Sequence, residues 1–204
     1  MIGRLALVVA ATAALAGCHA GTINLAATAR TVPADDGFDL TVVRMVESTL
    51  LPRGKPRAVL FYVQGSEDRS VTDAAGRLAG FCAMNVPVVA VERRGVHPDG
   101  AVDEAAALRF ATRERRIDDT LEAMDSMLGT EPPGTPLLMM GASEGADVAS
   151  AVAARCETER LRAVILLGGG GGWTQEQEFR HFIQTRGSFL GLGSEAELDA
   201  KIAE

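Results

Sequence analysis

Four continuous apolar runs, each ending at a turn and separated by stretches with helical spacing, constrain this chain more than any other feature. They are "RAVLFYVQGS" (57–66), "VPVVAV" (86–91), "LLMMG" (137–141) and "LRAVILLGGGGG" (161–172). Runs rich in β-branched residues, with no polar alternation, suit strands covered on both faces. Between them Val71, Ala75, Leu78 and Cys82 recur at three- and four-residue steps. Ile117, Leu121, Met124 and Leu128 mark one face of a helix from about Arg113 to Leu128 that stops at Gly129, and Val148, Val152 and Cys156 share the buried face of another. Strands alternating with helices predict an α/β fold, a mostly parallel central sheet with helices on both faces. Phe38, Leu40 and Val42 alternate with Asp39 and Thr41 and predict an earlier strand.

With 204 residues, 47% of them hydrophobic and 23% charged, the chain can build one domain with a sizeable core. A net charge of -7 excludes a nucleic-acid surface, which needs clustered Lys and Arg to meet phosphates. The Cys and His residues are too few and too scattered for metal-ligand spacing, and no cofactor is expected.

The N-terminus carries Arg4, an apolar run from Leu5 to Leu15, then Ala16, Gly17 and Cys18. This pattern predicts a secretory signal over 1–18, too short to span a bilayer. Leu15-Ala16-Gly17-Cys18 resembles the lipobox of bacterial lipoproteins, which implies lipidation at Cys18 and a place on the cell envelope facing the periplasm or the exterior. Residues 19–36 read as a tether and 37–204 as the folded domain. In an oxidising compartment Cys82 and Cys156 could pair as a disulfide; equally, each sits among apolar positions where a buried thiol acts as a small hydrophobe.

The stretch with the most chemical content is "MMGASEGAD" (139–147), where Ser143 stands between Gly141 and Gly145. A G-x-S-x-G arises by chance in about one chain in ten of this composition, so its context must decide. Here it falls where a buried strand hands over to a helix, the edge at which open α/β sheets bind ligands. Flanking glycines let the backbone turn sharply, and the helix N-terminus offers unpaired N–H groups to an oxyanion.

At this point the sequence resembles the α/β-hydrolase family, over about residues 57–172, with "GASEG" as the specific motif and "VQGS" as a supporting one. The resemblance implies a serine hydrolase of ester, thioester or amide bonds in small-molecule or peptide substrates, with Ser143 as nucleophile. It implies an oxyanion hole from the N–H of Glu144 and the Gly65-Ser66 segment; "QGS" stands where many relatives have His-Gly. The alternative is an inactive relative, a lipoprotein that uses the scaffold to bind a ligand or envelope partner.

The family order continues with an acid and a histidine on loops after later strands. Residues 173–204 carry no strand-like run; they read as the start of lid or cap helices, with a capping box at Ser194 and Glu197. The expectation is that the last strands, the acid and the histidine lie beyond Glu204. Within the chain, His97 in "GVHPDG" lies at the correct sheet edge but reads as a solvated turn residue, and His181 follows the family order but reads as one half of an exposed pair with Glu178. Trp173, after the glycine run, reads as a pocket wall or as a packing anchor.

Overall fold

The computed structural model describes residues 23–48, 54–110 and 112–169, together with positions 177, 196 and 197. The signal segment with Cys18, Trp173, His181 and the expected lid helices lie outside the described residues. The core belongs to a compact unit that ends at Gly169.

Six strands form one sheet: β1 (Leu25–Pro33), β2 (Asp39–Glu47), β3 (Val59–Val63), β4 (Val88–Val91), β5 (Leu137–Ala142) and β6 (Leu161–Leu167), in the order β1-β2-β4-β3-β5-β6. β1 and β2 run antiparallel to their neighbours, while β4, β3, β5 and β6 are mutually parallel. The helices are α1 (Ala75–Ala83), entered through a 3-10 turn at Val71–Ala74, then α2 (Glu104–Arg109), α3 (Arg113–Leu128) and α4 (Glu144–Arg155).

Residue alternation along the strands sorts the core into two layers. Val59, Phe61 and Val63 of β3 join Leu137 and Met139 of β5 and the inner face of α3 and α4, including Ile117, Met124, Val148 and Val152. Leu60 and Tyr62 face the other way, with Val88 and Ala90 of β4 and with Val71, Leu78 and Cys82 around α1. β3 is buried at all five positions, as its uninterrupted apolar run predicts. α3 has the predicted bounds, and Thr112 caps it by accepting from the Arg115 N–H at 3.3 Å.

Several expectations need correction. The stretch read as a tether, 19–36, contains β1, which pairs with β2 along its whole length from Leu25↔Glu47 to Pro33↔Asp39. "LAATARTVP" shows no apolar period because an edge strand with exposed positions owes its place to ladder hydrogen bonds rather than burial. Gly37, at φ 81°, turns the hairpin. The domain therefore begins upstream of residue 37. β6, expected to be covered on both faces, is half-buried over most of its length; among the described strands it has a neighbour on one side only. A short helix, α2, to which no sequence pattern pointed, precedes α3 and is capped by Asp103, which accepts from the Ala106 N–H at 3.1 Å.

Cys82 and Cys156 are both buried but lie in different layers, on opposite faces of the sheet, and no disulfide joins them. The Cys82 thiol donates to the Met45 carbonyl and the Cys156 thiol to that of Ala153. The buried-thiol reading holds.

Candidate active site

The site forms where β5 becomes α4. Ser143 is the N-cap of α4 and carries φ 53° and ψ -129°, a conformation that favours glycine and costs a serine about 1–3 kcal/mol. Its neighbours show why the turn is so sharp. A Cβ on Gly141 would lie 2.1 Å from the Gly145 carbonyl oxygen, and one on Gly145 would lie 2.3 Å from the Val63 carbonyl oxygen. Only glycine fits at both positions, so α4 starts hard against β3 and Ser143 is pushed out of the packed layer, where it is exposed. The Ser143 N–H is bound to the Leu167 carbonyl at 2.7 Å, which ties the turn to β6.

Gly65 closes the other side: a Cβ there would lie 3.2 Å from both Ser143 Cβ and the Ala142 carbonyl oxygen. The structure thus brings together the four residues singled out in the sequence, since Ser66 adjoins Gly65 and Glu144 follows Ser143. Among the described residues, the N–H groups of Gly65, Ser66 and Glu144 are engaged by no backbone carbonyl. For Glu144 this follows from its place at the first position of a helix, whose opening amides have no intrahelical partner.

The loop after β3 is held from several directions. Arg93 Nη1 donates to the Ser66 carbonyl at 2.7 Å and to Asp68 Oδ1 at 2.9 Å. The Gln64 side-chain amide donates to the Arg69 carbonyl at 3.0 Å. Glu92, buried at the end of β4, accepts from Ser70 Oγ at 2.6 Å and from the Val71 N–H at 3.0 Å. Burial pushes the Glu92 carboxyl above its ordinary range, and these two bonds oppose the shift.

Arg116 of α3 supplies the remaining tie. Its Nη2 donates to the Gln64 carbonyl and approaches that of Gly65 at 3.4 Å, while Nη1 lies 3.0 Å from Glu144 Oε2. That last contact is an ion pair by distance, without the angles of a hydrogen bond. Burial pushes the guanidinium below its ordinary pKa, opposed by Glu144; it remains a cation.

Arg116 escapes a reading of the sequence because "RERR" looks like the solvated start of a helix. The missed signal is its spacing: Arg116 shares a face with Thr120, Ala123 and Met127, all buried. Glu92 gives no sequence signal either, since a carboxylate directly after a buried strand reads as a loop residue.

His97 is exposed on the loop after β4 and makes no hydrogen bond to Ser143. It is the one histidine among the described residues. Among those residues no group of His, Cys, Asp and Glu could hold a metal, and no helix is long and apolar enough to cross a membrane.

No family model and no curated protein matches the sequence. Solved structures do. A carboxyl esterase from Bacillus coagulans in complex with glycerol superposes with a TM-score of 0.57 at 18% identity, over 85% of this chain and 53% of the esterase. The fold is that of the α/β-hydrolases. A puromycin-hydrolyzing peptidase of Mycobacterium tuberculosis gives a TM-score of 0.57 at 17% identity, over 75% of this chain and 24% of the peptidase. A lipase in its open form gives 0.52 at 19%, over 69% of this chain and 44% of the lipase. The chain spans about half the length of the esterase and less of the other two.

Proposed function

We propose that the protein is a serine hydrolase that cleaves an ester, thioester or amide through an acyl-enzyme on Ser143. The observation that carries this reading is the conformation of Ser143: a strained, exposed serine between two glycines that no other residue can replace. Strain of this kind is retained where the surroundings over-determine it, commonly at functional sites. The Ser143 hydroxyl attacks the substrate carbonyl, and the oxygen that becomes negative is received by the N–H of Glu144 and those of the Gly65-Ser66 segment. The base is a histidine brought to Ser143 by the part of the fold that follows β6, as the family order requires.

The N-terminal signal and the lipobox-like Cys18 support a lipid-anchored place on the outer side of a bacterial membrane, where the substrates would be small-molecule or peptide acyl compounds. Turnover of an activated ester tests the reading. The full-length protein hydrolyses 4-nitrophenyl butyrate and its Ser143→Ala variant, equally well folded, does not; equal turnover by the variant overturns the proposal.

A further inference from the structure

One side chain touches both halves of the proposed oxyanion hole. Arg116 reaches the Gln64 and Gly65 carbonyls with Nη2 and the Glu144 carboxylate with Nη1, and its side chain is 9% exposed. These are the two segments whose N–H groups would receive the oxyanion, and they come from different parts of the chain.

Peptide geometry gives the contact a consequence. In a planar trans peptide the C=O of one residue and the N–H of the next point in opposite directions. A guanidinium holding the Gln64 and Gly65 carbonyls therefore turns the Gly65 and Ser66 N–H groups away from itself. The same contact polarises those amides, since a carbonyl that accepts a hydrogen bond leaves its own N–H a stronger donor. Meanwhile Glu144, whose N–H is the other donor, is drawn toward Arg116 through its carboxylate.

We propose that Arg116 is the positioning residue of the oxyanion hole, fixing the donors of the β3 loop and of the Ser143 turn against one another through a single guanidinium. The inference rests on the serine hydrolase reading. It gives a buried cation in a hydrolytic site a role distinct from substrate binding: Arg116 lies behind the amides, where its charge also favours the negative oxygen they receive. Arg116 sits on the buried face of α3, where an unpaired charge is costly, and its contacts with the two segments offset that cost.

The test uses Arg116→Gln and Arg116→Lys in the full-length protein, with 4-nitrophenyl butyrate turnover and the rate of fluorophosphonate labelling as readouts. A positioning role predicts that Arg116→Gln lowers kcat about ten- to hundredfold while KM stays within about twofold, because the donors act on the transition state more than on bound substrate. Labelling slows in parallel, since the phosphonyl oxygen uses the same donors. Arg116→Lys keeps the charge but cannot fork to both segments, and recovers part of the loss. If Arg116→Gln fails to fold, Arg116→Lys carries the comparison; failure of both to fold makes the residue structural and overturns the proposal. An active wild type with unchanged kcat in Arg116→Gln overturns this inference alone. A folded wild type that neither hydrolyses nor takes the label overturns both readings.

Discussion

A Cβ placed on Gly145 would lie 2.3 Å from the Val63 carbonyl oxygen, so the first turn of α4 rests directly on the end of β3. The atoms it would meet, the Val63 and Gln64 carbonyl groups, are backbone and cannot move aside as a flexible side chain would. Gly145→Ala is therefore expected to cost about 3 kcal/mol or more, above the usual range for overpacking. Gly80→Ala provides the contrast: Gly80 lies in α1 with nothing within 4 Å of its added Cβ, and the change should stabilise by about 0.5–1 kcal/mol. Urea unfolding of the two variants checks both signs.

Ser143 occupies a backbone conformation that glycine adopts freely. Ser143→Gly should raise stability by about 1 kcal/mol, the relieved strain exceeding the extra entropy that glycine loses on folding. The variant should also be inert toward esters. A stability gain combined with loss of turnover is the signature of strain kept for function; a destabilised Ser143→Gly would remove that part of the account.

Arg94 is buried between two carboxylates, at 2.6 Å from Asp36 Oδ2 and 2.7 Å from Asp119 Oδ1, with its guanidinium over the rings of Phe38 and Phe110. The hydrogen bond from Arg94 holds the Asp36 carboxyl down to about 2 from its ordinary 3.8. A depressed carboxyl pKa contributes stability that is present above 3.8 and lost as pH falls toward 2. Burial shifts Asp119 the opposite way, so its contribution weakens as pH rises above the ordinary value. Asp36→Asn should accordingly flatten the acid limb of the stability profile between about pH 4 and pH 2, measured as urea midpoints against pH. An unchanged limb would show that Arg94 does not hold Asp36 in solution.

Cys18 follows Leu15-Ala16-Gly17 in the pattern that resembles a lipobox. Expressed from its gene in a bacterial host, the protein should take up an alkyne-tagged fatty acid and sediment with membranes. Cys18→Ser should lose the tag and leave the membrane fraction; a tagged Cys18→Ser protein would contradict lipidation at that residue.

The elements that position the site were legible wherever burial wrote a pattern. The run through Val59–Val63, the strand into Gly141 and the α3 stripe from Ile117 to Met124 all follow from which faces are covered. β1 was hidden because an edge strand can be built of alanine and threonine when its partner supplies the hydrogen bonds. α2 was hidden because six residues, none of them buried, carry no amphipathic period. The candidate nucleophile could be read from its glycines, whose absence of side chains is itself the constraint. Arg116 is marked only by its spacing with Thr120, Ala123 and Met127, because a charge buried against carbonyls otherwise looks in sequence like a charge facing water.

An activated Ser143 attacks an electrophilic phosphorus and stays bound to it, so covalent labelling reads its reactivity without a known substrate. The full-length protein is treated with a fluorophosphonate probe and the adduct located by peptide mapping. A single adduct on Ser143, lost in Ser143→Ala, is the expected result. A folded protein that takes no label, or takes it elsewhere, would rule out Ser143 as the nucleophile and favour a scaffold that binds without catalysing.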